Sequence, residues 1–132
     1  MAISSLKMFT KKEPLELKAI RGATSCEKNS IPSIEIAVIE LLNELLNRNK
    51  LQHGQILSIT FSVTKDIDAC FPASIARKRM GLENVALLDC QQMFVKNDLK
   101  NCIRILAYAW LPSNQSANHP YLGMASKLRP DR

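Results

Sequence analysis

Apolar and polar residues alternate in some stretches of this chain and recur at helical spacing in others, and that contrast predicts its elements. Leu15, Leu17 and Ala19 share a face with Arg21, the period of two of a strand over residues 15–21, and Gly22 follows where the chain can turn. Ser30 with Pro32 forms a helix start. Over residues 34–47, Ile34, Val38, Leu41, Leu42 and Leu45 fall along one side, with Glu35, Glu40 and Glu44 elsewhere, which predicts an amphipathic helix lying on a sheet. After a polar connection at residues 49–54, Ile59, Phe61 and Val63 alternate with Ser58, Thr60, Ser62 and Thr64, a half-buried strand over residues 56–64. Residues 65–68 read as a loop. Pro72 suits a first helical turn, and residues 73–80 form a short helix closed by Gly81. A third strand is expected over residues 85–93 and a fourth over residues 102–111, separated by a loop at 95–100 that holds Asn97 and Asp98. Residues 112–118 are a polar linker, and residues 121–127 form a short helical turn leading into Leu128-Arg129-Pro130.

The order is β-α-β-α-β-β, an α+β (α/β) domain without internal repeats. The length of 132 residues fits one domain, and 46% apolar with 23% charged residues is the balance of a globular chain. Residues 1–14 carry Lys7, Lys11 and Lys12 against Glu13 and no apolar core, so they are expected to be a flexible N-terminal extension and not a secretory signal; a transit segment is the other reading. The single domain is expected over residues 15–132.

A formal net charge of +6 favours an anionic partner. The basic residues are scattered, and four Phe, two Tyr and one Trp are few for a nucleic-acid-stacking surface, so nucleic acid is not the expected partner. The longest uncharged apolar run, residues 105–111, is too short to cross a bilayer, and no membrane association is expected. Cys26, Cys70, Cys90 and Cys102 show no C-x-x-C spacing, and with only His53 and His119 beside them no zinc pattern emerges; reduced thiols in a cytoplasmic protein are the expectation. There is no Gly-rich phosphate loop, no H-E-x-x-H, no G-x-S-x-G and no acidic metal cluster, so neither a metal nor another cofactor is expected.

Arginines at the edges of apolar elements carry the remaining chemistry. Arg21 ends the first alternating stretch, Arg77 lies three residues after Ser74 on the same side of the short helix, Arg104 interrupts Cys102-Ile103-Arg104-Ile105-Leu106, and Arg129 follows Leu128. A charge inside a strand is costly unless paired or solvated, and Asp89 is a natural partner for Arg104. Arg77 and Arg129 read as solvated surface on the same grounds. Converging guanidiniums would grip a small dicarboxylate in bidentate fashion, but spacing alone does not show convergence.

Ile20-Arg21-Gly22-Ala23-Thr24, Phe71-Pro72-Ala73 with Arg77, Cys102-Ile103-Arg104, Tyr121-Leu122 and Leu128-Arg129-Pro130-Asp131 occur in one order, over residues 17 to 131. That set resembles the monofunctional chorismate mutases of the trimeric pseudo-barrel class. The resemblance implies a homotrimer forming a pseudo-α/β-barrel, with active sites between subunits that convert chorismate to prephenate. It implies that Arg104 donates to the ether oxygen and a carboxylate, that Arg21 and Tyr121 hold the enolpyruvyl carboxylate, and that Phe71, Ala73 and Arg77 reach in from the adjacent subunit. Leu87 and Leu88 would line the pocket, and Leu128 and Arg129 would close it. Two positions depart from the family: Gln92 stands where a glutamate is usual, and Asp89 where a small residue is. Asp89 is the candidate for the missing carboxylate; its alternatives are pairing with Arg104 or facing solvent. Ser74, where relatives can carry lysine, lowers the positive field at the mouth.

The expected reaction agrees with the missing motifs. A unimolecular Claisen rearrangement requires no nucleophile, proton shuttle or metal, only a folded conformer and donors for the oxygen that gains charge. Even a low-end enzymatic acceleration needs about 8 kcal/mol. One preorganised donor supplies roughly 3–4 kcal/mol, so conformational trapping by the other arginines must supply the rest. The alternatives are a catalytically weakened homologue that binds small carboxylates, and an imine deaminase of similar trimeric fold, which the Leu128-Arg129-Pro130-Asp131 tail disfavours.

Overall fold

The computed structural model describes residues 13–130. Most of the expected N-terminal extension and Asp131 lie outside the described residues. Four strands, β1 (Leu15–Ser25), β2 (Ile56–Val63), β3 (Ala86–Gln91) and β4 (Cys102–Pro112), form one mixed sheet in the order β1-β4-β2-β3. Helices α1 (Ile31–Arg48) and α2 (Pro72–Met80) join the strands, and two 3-10 turns, His53–Gln55 and Gly123–Leu128, complete the chain. β1 and β2 run antiparallel to β4, while β2 and β3 are parallel and joined through α2.

The hydrophobic periodicity explains the layering. Ile34, Val38, Leu41, Leu42 and Leu45 of α1 are fully buried against Ile20, Ile59, Phe61, Ile103, Ala107 and Leu111 of the sheet. Each Leu or Ile buried in this way stabilises by about 1.5–3 kcal/mol. Ser30 caps α1 by accepting the Ser33 N–H, and Ile31 and Pro32 begin the helix, three residues earlier than the apolar stripe indicated. At its other end, buried Asn49 donates to the carbonyls of Leu45 and Asn118 and accepts the Asn118 N–H at 2.7 Å, so the polar linker is tied to the helix. α2 closes at Gly81, whose φ of 66° is left-handed.

Among the described residues, neither α1 nor α2 covers the opposite face of the sheet. In register across β1 and β4, Leu17 lies opposite Trp110, Ala19 opposite Tyr108 and Arg21 opposite Leu106. Trp110 and Tyr108 are 41% and 39% exposed, and Leu88 of β3 is exposed on the same face. The face shared by Leu17, Ala19 and Arg21 is therefore the open one; Ile20 is the β1 residue that enters the core.

Gly22 does not end β1, which continues to Ser25 opposite Cys102. The glycine answers a different need. A Cβ at residue 22 would lie 2.7 Å from the Pro120 carbonyl oxygen and 3.2 Å from Ile105 Cγ1. The tail runs beside β1 here: Ala23 N–H donates to Pro120 O at 2.9 Å, Leu122 N–H to Ala23 O at 2.8 Å, and Arg21 N–H to His119 Nδ1 at 2.9 Å. Among the described residues, no helix is long and apolar enough to cross a membrane.

Candidate active site

The polar end of the open face forms a cleft of about 430 Å³. Its floor is Arg104 and Leu106 of β4 with Thr60 and Ser62 of β2; Arg21 and Gly22 of β1 form one wall, and Gln92, Tyr121, Leu128 and Arg129 complete it. Register explains the gathering. Ser62 pairs with Arg104, Thr60 and Arg21 both pair with Leu106, and Arg104 pairs with Ala23, so Arg21 and Arg104 are diagonal neighbours on one face. The bridge between Ala23 and Tyr121 brings the tail alongside. Leu99, Tyr121 and Leu128 pack on a small second core of Ala23, Cys102 and Ala125, which holds the tail over the cleft.

Arg104 is three-quarters buried, and its ion-pair partner is Asp98, with Nη2 to Oδ1 at 3.6 Å. The expected pairing with Asp89 is not formed. Arg104 Nη1 is buried and has no hydrogen-bond partner among the described residues. A buried unpaired donor costs about 1–3 kcal/mol or more for a charged group, so the guanidinium is set to gain by meeting an acceptor. Gln92 Oε1 accepts the Ser62 hydroxyl at 2.9 Å. That bond fixes the side chain and leaves the amide N–H groups as donors.

The other expected residues form a second group around α2. Phe71, Ser74, Asp89 and Cys90 line a separate cavity of about 650 Å³. Phe71 is 69% exposed. Ala73 is buried, and its N–H donates to Asp89 Oδ1 at 3.0 Å. Arg77 is exposed on α2. Burial raises the Asp89 pKa, against the Ala73 hydrogen bond and the attraction of Arg77. Asp89 is thus held at the start of α2, away from the residues lining the Arg104 cleft. Leu87 packs against the core while Leu88 faces the other way, because successive strand residues point to opposite faces; their side chains do not line one pocket of this chain.

Sequence reasoning missed Thr60, Ser62 and Asp98. The two hydroxyl residues were read only as the polar side of a half-buried strand, and that side is the cleft floor. Asp98 sits in a loop whose course depends on the left-handed Asn97, at φ 68°.

A mixed sheet carrying a polar cleft of three arginines, a tyrosine and an amide has the donors that suit a small, multiply anionic organic molecule. The comparisons give the family. The family model "Chorismate mutase type I" matches residues 17–132. The chain is 35% identical over 117 residues to chorismate mutase AroH of Thermus thermophilus, covering 87% of this chain and 95% of that protein. It is 32% identical over 117 residues to chorismate mutase AroH of Bacillus subtilis (strain 168), covering 87% and 91%. A solved chorismate mutase from Clostridium thermocellum superposes with a TM-score of 0.78 at 36% identity, covering 83% of this chain and 98% of that one. This chain belongs to the type I chorismate mutase family, whose members are isomerases of aromatic amino-acid biosynthesis.

Proposed function

We propose that the Arg21–Arg104 cleft is where this chorismate mutase folds chorismate for its rearrangement to prephenate. The carrying observation is the buried Arg104 Nη1, which has no hydrogen-bond partner among the described residues and lies on the same sheet face as Arg21. The substrate's two carboxylates and its ether oxygen are acceptors of the number and kind that three arginines and a tyrosine can serve. In this reading Arg104 donates to the ether oxygen as the C–O bond breaks, and Arg21 and Tyr121 grip the enolpyruvyl carboxylate. Gln92 meets the ring hydroxyl, and Leu128 and Arg129 cover the ligand. The reacting atoms are held close and folded, and charge develops beside a donor that does not have to reorganise.

The proposed assembly is a homotrimer with sites between subunits, its sheets closing a pseudo-barrel. The apolar end of the open face, with Leu17, Tyr108 and Trp110, supports burial against another copy. The Phe71–Ser74 cavity would then face a neighbour's Arg104 cleft, so that Phe71, Ala73, Ser74 and Arg77 complete it from across the interface. Residues 15–132 are one domain in this reading, and a cytoplasmic location goes with it.

Loss of chorismate absorbance on adding the purified protein tests the site, with Arg104→Ala alongside. Turnover that falls by about 10²–10³-fold in the variant is the expected result. A folded wild type that binds chorismate without converting it would favour the second reading, a small-carboxylate binding protein, which the uncharged Gln92 makes specific. Full activity in Arg104→Ala would sink the placement of the site.

A further inference from the structure

Among the residues that line the cleft, Arg21, Arg104 and Arg129 are cationic and none is a carboxylate. Gln92 brings no charge, and its oxygen already accepts from Ser62. An arginine in such a cleft needs something to fix its plane, because its long side chain has many rotamers and its like-charged neighbours repel it. The acid paired with Arg104 comes from outside the cleft lining. It is Asp98, on the loop between β3 and β4.

That loop is built to hold an acid in place. Asn97 takes the left-handed conformation and turns the chain, and Asp98 N–H donates to the Val95 carbonyl at 3.1 Å. Asp98 Oδ1 accepts the Leu99 N–H at 2.8 Å. Leu99 packs with Tyr121 and Leu128, and farther along Asn101 N–H donates to Asp66 Oδ2 at 3.0 Å. The Asp98 carboxylate is therefore anchored before it meets the arginine. Its side chain is 24% exposed and that of Arg104 25%, so the pair is screened far less than a surface ion pair. At 3.6 Å the contact is a charge pair and not a hydrogen bond, and it lies on Nη2. Nη1, the nitrogen without a partner, is left to the ligand.

We infer that Asp98 is a positioning residue: it draws the Nη2 side of the Arg104 guanidinium toward the β3–β4 loop and so presents Nη1 to the substrate oxygen. The inference rests on the cleft being the chorismate site. Asp98 touches no substrate and acts through Arg104. Its second effect is electrostatic: it offsets one of three positive charges and so weakens the cleft's overall hold on a dianion.

Asp98→Asn keeps the shape and removes the charge. Steady-state kinetics of the intact protein should show kcat reduced by about ten- to hundredfold with KM unchanged or lower, because the arginine loses its fixed direction while the cleft gains positive charge. Asp98→Glu should recover part of kcat. In the Arg104→Ala background the same substitution should add little, since the two residues act as a unit. Unchanged kcat in Asp98→Asn, with Arg104→Ala impaired, would overturn the inference and spare the site. So would a fall in kcat accompanied by higher KM and a lower melting temperature, the signature of a structural role. Full activity in Arg104→Ala would overturn both.

Discussion

The carboxylate of Asp89 accepts the backbone N–H of Ala73 at 3.0 Å, so strand β3 caps a helix that has no capping side chain of its own. Phe71, at the N-cap position, has no side chain that can accept such a bond. Asp89→Ala should cost about 1 kcal/mol, while Asp89→Asn, which keeps an oxygen in place, should cost little; chemical denaturation checks both. The pH dependence has a definite sign. Burial holds the folded-state pKa above the ordinary 3.8, so the folded protein binds this proton more tightly than the unfolded chain. The wild type should therefore gain stability relative to Asp89→Asn as pH falls through the folded value, with the gain complete below about 3.8.

Asp66 should behave in the opposite way. Burial opposes its charge, but the Thr64 hydroxyl at 2.5 Å, the Asn101 N–H at 3.0 Å and nearby Lys100 prevail and hold its pKa below 3.8. Its contribution is present above pH 3.8 and is lost as pH falls through the lower folded value. Asp66→Ala leaves the Asn101 N–H and the Thr64 hydroxyl to find new partners and should cost about 1–3 kcal/mol at neutral pH. Acid titration followed by circular dichroism should show that the variant has lost part of the wild-type acid transition.

Gly22→Ala places a methyl against backbone, not against a flexible side chain. The Pro120 segment must move, and Tyr121 moves with it. A loss of about 1–3 kcal/mol in stability, with reduced turnover, is expected from equilibrium unfolding and a chorismate assay on the same preparation.

Trp110→Glu sets a charge on the apolar end of the open face, far along β4 from Arg104. If that face is the contact between copies, the charge should split the assembly, and light scattering should report single chains. Turnover should fall with it, although no residue of the Arg104 cleft has changed. A wild type already present as single chains would remove the trimer from the proposed function.

The fold was legible where periodicity is strong. The stripe from Ile34 to Leu45 and the alternation from Ser58 to Val63 each admit one regular element, and both elements formed. β1 was read too short because Gly22 can serve either a turn or a close approach, and only the distant Pro120 decides between them. Which face of β1 meets the core was hidden for a related reason: Leu17 and Ala19 are apolar yet lie on the open face, where apolar side chains suit contact between copies as well as a core. The arginines of the cleft were legible as types; that Arg21 and Arg104 share a face follows from a register that only strand pairing sets. Asp89 was read as a possible partner of Arg104, but in β3 it shares the face of Leu87 and its carboxylate reaches α2. The acid that does pair, Asp98, lies on a loop, where no period constrains direction.

The sheet order has a consequence for how the chain is made. β1 is hydrogen-bonded to β4 alone among the strands, from Leu15 opposite Pro112 to Ser25 opposite Cys102. Of the described strands, β1 is synthesised first and waits for β4 before it can pair, while α1, β2, α2 and β3 are made in between. Closure of so long a loop is slow, and an unpaired strand is open to wrong partners meanwhile. The Arg21–Arg104 cleft, with one wall on β1 and part of its floor on β4, can take shape only after β4 has been translated.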